Sequence, residues 1–362
     1  MCDRGRTIIV KNLKLLLVAL LALGVLFGCD NTDKPAEVKQ IGGTLVIYSP
    51  NSDSDIENII PAFEAAYGVD VQVISAGTGE CVTRINAEKE NPQADVLHGG
   101  MNLGIYVQNP DLWEAYTSPN EKLINEAYRQ NPEIPYFTNY QLSGSGAIIL
   151  NNKLIEELGL TGKINGYADL LNPLLKGKIA SGDPTKSSSA WAEITNMLLV
   201  MGDEPYDDKA WEYIEKFVAQ LDGIELSSSS AIYKGVAEGE YAVGVSYEDP
   251  CMKLVEDGAP VTVIYPEEGS VWLPGGSAIV KGAKNMEQAK AFIDFLISDQ
   301  CQSILSKTTI RGTNTTIDIQ NPIMKPFSEI KVVYEDIPFV AEHRTEWQAK
   351  YDQIRTDYLA NK

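Results

Sequence analysis

Apolar residues recur along the chain at two spacings, and their alternation predicts the architecture. Residues 44–48 (TLVIY), 71–75 (VQVIS) and 95–97 are short apolar runs of strand length, the third leading into Gly99 and Gly100. Between the first two, Ile56, Ile59, Ile60, Phe63 and Tyr67 fall three or four residues apart, which places them on one face of a helix. A second helix is expected over residues 81–90. Each run passes through a loop of small residues into the helix, and strands alternating with helices predict a parallel sheet covered on both faces.

The middle of the chain repeats this logic. Strands are expected over 146–150 (GAIIL), 178–180 (KIA), 241–246 (YAVGVS), 261–265 (VTVIY) and 277–280 (SAIV). Helices are expected over 187–201, around Trp211, Ile214, Phe217, Val218 and Leu221, through Glu238 after the serines of 227–230, and over 249–256. Two α/β lobes fit this pattern: residues 42–140 with about 275–325 as the first, and 141–274 as the second. Ala289, Phe292, Ile293 and Leu296 mark a helix running toward Ile304. In a C-terminal helical segment, residues 326–362, Phe339, His343, Trp347, Tyr351, Ile354 and Tyr358 form an apolar stripe. On that stripe His343 is expected to be packed and hydrogen-bonded.

The amino terminus follows another pattern. Arg4, Arg6, Lys11 and Lys14 precede an apolar run over 15–27, too short to span a bilayer and suited to a signal-peptide core. It ends in Leu26-Phe27-Gly28-Cys29, which resembles a bacterial lipobox. The expectation is a signal peptide over 1–28, lipidation of Cys29, a polar tether over 29–41 and an extracytoplasmic, membrane-anchored body.

Charge and composition narrow the chemistry. The 362 residues carry 50 acidic and 30 basic side chains, a net charge of −20. Removing residues 1–28 takes four basic side chains and Asp3 and makes the remainder −23. So negative a surface repels phosphate backbones, which argues against nucleic-acid binding. His98 and His343 are the two histidines, far apart and in no HExxH or closely spaced His/Cys set. Beyond Cys2 and Cys29, only Cys81, Cys251 and Cys301 remain, so at most one disulfide can form and the core must hold the fold.

Four loops share one design, with small hydroxyl or glycine residues opening onto a helix: Ser49-Pro50-Asn51-Ser52, Gly77-Thr78-Gly79-Glu80, Ser187-Ser188-Ser189 and Ser227-Ser228-Ser229-Ser230. Helix N-termini offer unpaired N–H groups and a partial positive charge, so such loops hold anions without lysine or arginine. The plain alternative is N-capping. Four loops, two in each presumed lobe, favour a site at the strand ends. Tyr247-Glu248-Asp249-Pro250 follows another strand. Asp249 with Pro250 reads as a helix cap, leaving Tyr247 and Glu248 to face the cleft as oxygen ligands for ferric iron or as hydrogen-bonding partners of an organic solute. Arg311 is the basic residue placed near the cleft, as a fork for a carboxylate or phosphate.

The lipobox, VIYSPNSD, PAFEAAYGVDVQVISAGTGE, NPQADVLHGG, GKIASGDPTKSSSAWAEITNMLL, SSSSAIYKGVAEGEYAVGVSYEDP and SAIVKGAKNMEQAKAFIDFLIS together resemble the extracytoplasmic solute-binding proteins of ABC importers. Within them the chain resembles the branch that binds ferric iron, phosphonates, sugar phosphates and thiamine, most of all lipoproteins assigned to iron uptake. The resemblance implies the two-lobed type II periplasmic-binding-protein fold, with crossing strands as a hinge. It also implies capture of a small anionic ligand, a ferric iron complex or a phosphorylated organic compound, for a permease and an ATPase, with no cofactor; Cys29 and the tether predict a monomer. The alternatives are a bare ferric-ion binder using Tyr247 and an enzyme on the same two-lobed fold, against which stand the missing histidine base, the lack of a nucleophile with a partner and the lipid anchor. Ferric-binding members use adjacent tyrosines after the strand occupied here by 241–246 and commonly a histidine in the first loop. Here a single tyrosine, Tyr247, and Asn51 stand in those places.

Overall fold

The computed structural model describes residues 40–51, 53–314 and 316–362. The expected signal peptide, Cys29, nearly all of the tether and Ser52 lie outside the described residues.

The first apolar run forms β1 (Thr44–Ser49), with Leu45 and Ile47 wholly buried. It pairs in parallel with β2 (Asp70–Ser75) and β3 (Val96–Met101). The predicted stripe is the buried face of α1 (Asp53–Tyr67), whose Phe63 meets Phe292 edge-on at a centroid distance of 5.0 Å. α2 (Thr78–Ala87) and the short α3 (Leu103–Gln108) follow β2 and β3. Next come β4 (Thr138–Gly144), β5 (Ala147–Asn151) and α4 (Asn152–Glu157). The second lobe continues through β6 (Ile179–Gly182), α5 (Ser188–Val200), α6 (Asp208–Leu221) and β7 (Glu225–Leu226). It ends its sheet with α7 (Ser229–Glu238), β8 (Val243–Ser246), α8 (Glu248–Glu256) and β9 (Val261–Ile264). The chain then returns along β10 (Ser270–Ile279) to α9 (Met286–Leu296), α10 (Asp299–Leu305), β11 (Arg311–Gly312), β12 (Val332–Val333) and α11 (Ile337–Asn361).

The described strands form two sheets, in the orders β11-β4-β10-β3-β1-β2, with β12 on β10, and β7-β6-β8-β5-β9. This is the two-lobed α/β architecture. The helix expected to run from Ala289 toward Ile304 is two helices, because Ser298 caps a fresh start by accepting the Cys301 N–H. Cys81, Cys251 and Cys301 are all buried free thiols. No helix among the described residues is long and apolar enough to cross a membrane.

Two crossings, β4 to β5 and β9 to β10, orient the lobes' working edges. β10 runs antiparallel to β3 and β4, and Gly276 stands opposite both Met101 and Asn139, so β4 begins where β3 ends and continues outward. The next strand, β5, begins opposite Ser246, the last residue of β8, and β8 is parallel to β6. The carboxyl ends of the parallel strands in both sheets therefore lie on the crossing side, where ligands of open α/β sheets bind. Within the first crossing, a side chain at Gly146 would place its Cβ 2.9 Å from the Tyr167 hydroxyl and 3.0 Å from Ser270 Oγ.

Gly146→Ala is expected to lower stability by about 1–3 kcal/mol through overpacking at this crossing. Adding Ser270→Ala should restore part of the loss in urea unfolding. Additive losses in the double variant would show that the clash is not the cause.

Candidate functional site

On the first lobe, β1 and β3 end in a buried polar network. Ser49 Oγ donates to the His98 carbonyl at 2.7 Å and accepts the Asn51 N–H at 3.2 Å. Asn51 Nδ2 donates to Asp55 Oδ1 (2.9 Å) and to the Tyr140 hydroxyl (2.6 Å), and that hydroxyl donates to Asp55 Oδ2 (3.0 Å). His98 lies between Asp55 (Nε2, 2.9 Å) and Ser277 (Nδ1, 3.0 Å). Burial, reinforced by Asp55, holds the Tyr140 phenol well above its ordinary range, so it stays a donor. Ser49 is thus corrected from ligand contact to brace: it is wholly buried and its hydroxyl is engaged inside the lobe. Ser277, His98 and Asp55 are connected like a hydrolase triad, yet Ser277 and His98 are 0 % exposed, so no substrate reaches the hydroxyl.

Beside this network, Gly99 and Gly100 have φ of 84° and 69°. A Cβ on Gly99 would overlap the Asn51 amide, and one on Gly100 would lie 2.6 Å from Thr78 Oγ1. The two glycines let the first two loops close on each other. Gly77 is the exposed N-cap of α2 and makes no side-chain cap, which leaves the first-turn N–H groups at Thr78 and Gly79 without an intrahelical partner.

On the second lobe the two serine loops leave adjacent parallel strands, paired Ser181 to Glu225 and Gly182 to Leu226. Ser187 caps α5 by accepting the Ala190 N–H at 3.3 Å, and Ser228 caps α7 from Ala231 at 3.4 Å. Each cap also meets the serine two residues on, Ser189 at 3.0 Å and Ser230 at 3.2 Å. Capping satisfies one N–H per helix. Ser188 and Ser227 remain exposed beside the others.

The next strand end departs from expectation. α8 starts at Glu248 with Tyr247 in the cap position, so Asp249 lies inside the first turn and does not cap it. Asp249 Oδ1 instead accepts from Thr309 Oγ1 of the first lobe at 2.6 Å. Glu248 and Arg311, both expected to face a ligand, hold each other: Nε to Oε2 at 2.8 Å and Nη2 to Oε1 at 2.7 Å, with both side chains nearly fully buried. Tyr265 donates to the same carboxylate at 2.5 Å. The guanidinium fork is filled by the protein's own acid, and Glu248 has no oxygen left for a metal. Tyr247 remains half-buried at this edge, its ring edge-on to Tyr233, with Ser229 at the start of α7 as a hydrogen-bonding neighbour. Burial, with Tyr233 and Asp249 adding, pushes its phenol up, so it is a neutral donor. Among the described residues no three His, Cys, Asp or Glu side chains form a metal donor set. A cavity of about 190 Å³ behind Arg311 is lined from Gln302 to Ser328 and includes none of the helix-start residues.

Asp55, Tyr140, Ser277 and Thr309 were not among the sequence candidates. Asp55 carries the one local signal, an acid in the first turn of a helix that follows a strand. His343 is packed as expected, between Phe339 and Trp347, with Nδ1 2.8 Å from the Phe339 carbonyl.

Residues 58–322 match the model of the family described as bacterial extracellular solute-binding protein. The chain belongs to that family. It is similar to the periplasmic binding protein AfuA from Actinobacillus pleuropneumoniae, solved with exogenous fructose-6-phosphate bound, at 29 % identity and a TM-score of 0.72 over 87 % of this chain and 99 % of that one. It is also similar to iron uptake protein A1 of Synechocystis sp. (26 % over 297 residues, 76 % of each chain). A putative 2-aminoethylphosphonate-binding periplasmic protein of Salmonella typhimurium is 23 % identical over 305 residues, 83 % of each chain. This solute-binding protein therefore has the type II fold of ABC-importer binding proteins, and its family is extracytoplasmic.

Burial raises the Asp249 carboxyl from 3.8 to about 6, Thr309 partly opposing and Asp55, Glu248 and Glu256 adding. Its folded pKa lies above its unfolded one, so stability falls as pH rises from about 4 to 6, and the ionised form is a cost above that window. Asp249→Asn should raise the melting temperature at pH 7.5 and leave it unchanged near pH 4. Equal shifts at both pH values would contradict this.

Proposed function

We propose that this protein captures a small phosphorylated organic solute between its lobes and passes it to a membrane permease, as a monomer tethered through lipid on Cys29. The observation that carries the reading is the chemistry left at the facing strand ends. Arg311 is committed to Glu248, so the groups available to an anion are the N–H groups and hydroxyls at the starts of α2, α5 and α7 and the Tyr247 phenol. All are neutral donors, which suit phosphoryl oxygens. Ligand contacts are assigned to Gly77, Thr78, Gly79, Ser187, Ser188, Ser189, Ser227, Ser228 and Tyr247; Asn51, whose amide donates to Asp55 and Tyr140 and whose N–H donates to Ser49, is a brace of the first lobe and not the ligand contact expected from the sequence. Asp249, a half-buried acid at the same edge, suits a hydroxyl or ammonium at the solute's other end. AfuA, solved with a sugar phosphate, and the aminoethylphosphonate-binding relative support this choice.

Iron is the second reading, favoured by the iron uptake relative and by the oxygen of Tyr247. Titration calorimetry with fructose-6-phosphate, 2-aminoethylphosphonate, fructose, ethylamine and ferric citrate separates the two. The phosphorylated probes should give one-to-one binding, and loss of the phosphoryl group should weaken it by about tenfold or more, as charged hydrogen bonds are removed. Alanine at Ser187, Ser188 and Ser189 together should weaken binding by about tenfold or more, whereas a role in capping alone would lower stability by about 1 kcal/mol and leave affinity unchanged. A coloured one-to-one ferric complex, lost on Tyr247→Phe, with no binding of either phosphorylated probe, would overturn the reading.

A further inference from the structure

The final helix packs Val340, Trp347 and Tyr351 into the second-lobe core, where Trp347 meets Trp191 of α5 and Trp211 of α6. Its polar contacts converge on the roots of the two serine loops. Arg355 Nη1 donates to Asp183 Oδ2 at 3.0 Å and to Glu225 Oε2 at 2.9 Å. Tyr351 donates to Glu225 Oε1 at 2.7 Å, and Gln348 Nε2 donates to the Pro184 carbonyl at 2.7 Å.

Those acceptors occupy particular places. Asp183 follows β6, and its carbonyl accepts the N–H of Ser187, the cap of α5. Its carboxylate also accepts from Thr185 and Lys186, which fixes the loop that ends in that cap. Glu225 opens β7, three residues before Ser228, the cap of α7. The ladder joining the two strands is two residue pairs long. So short a ladder holds the loops weakly, and two carboxylates gathered on one nitrogen would repel each other without it. One guanidinium answers both problems.

We propose that Arg355 is a positioning residue of the solute site, setting the spacing of the α5 and α7 N-termini so that their N–H groups converge on one anion; this rests on the binding reading above. Helix-start N–H groups act only within the first turn, so drift of one loop removes its contribution to the shared ligand. The far end of the same helix provides an internal control. Tyr358 donates to Asp222 Oδ1 at 2.6 Å and Lys362 Nζ to the Asp222 carbonyl at 3.0 Å, docking the helix beyond α6 without touching either serine loop.

The test compares Arg355→Met, Arg355→Lys and Tyr358→Phe in the full chain by hydrogen–deuterium exchange of residues 184–190 and 226–231 and by fructose-6-phosphate affinity. Arg355→Met should speed exchange in both segments and weaken affinity about tenfold, as one helix start is lost to the ligand. Lysine, which keeps the charge on a shorter side chain and lacks the planar guanidinium, should fall between. Tyr358→Phe should lower the melting temperature and leave exchange and affinity unchanged. Unchanged exchange in Arg355→Met, or an affinity loss no larger than that of Tyr358→Phe, would overturn the positioning role. If the wild-type protein binds no phosphorylated probe, the binding reading falls, and exchange alone decides whether Arg355 holds the loops.

Discussion

The buried pair of Glu248 and Arg311 is the contact on which the rest of the molecule turns. Glu248 begins α8, just after β8 of the second sheet, and Arg311 lies on β11, at the edge of the first, so the pair joins the lobes. Trp272 and Phe327 flank the guanidinium. Burial works against the charge on Arg311, and Glu248 outweighs it. Removing one partner of such a pair costs about 3–5 kcal/mol, because the other charge is stranded, whereas a well-packed apolar replacement of both is often neutral. The pair therefore fixes how the lobes meet more than how stably each folds. It also commits the cleft's guanidinium to the protein's own acid, and on the proposed reading anion binding falls to backbone N–H groups and hydroxyls.

What the sequence makes legible follows from where the information is local. β1, β2, β5 and β8 carry apolar runs, and α1 and α6 carry three- and four-residue stripes, so each is readable without knowledge of its neighbours. β4 (TNYQLSG) and the first half of β10 (SVWLPGG) have neither signal. They are strands because they pair with each other across the crossing, and that pairing is long-range. The two-residue strands β7, β11 and β12 are likewise defined by partners.

The candidate site divides the same way. Loops of serine and glycine ahead of helices are visible in the sequence, and the structure puts them at the carboxyl ends of parallel strands on the crossing side of both sheets. Whether a polar side chain faces outward or into its own lobe is not local information. Ser49 looks the same as Ser188 in the sequence, yet one is sealed against the His98 carbonyl and the other is exposed. Glu248 and Arg311, 63 residues apart, carry no sign of each other.

A crystal structure of the complex with a bound phosphorylated solute would show directly which groups hold the anion. Phosphoryl oxygens are expected at hydrogen-bonding distance, about 2.7–3.2 Å, from N–H groups or hydroxyls at the starts of α5 and α7, with Arg311 still paired to Glu248. A solute held by Arg311, released from Glu248 and turned into the cleft, would contradict this.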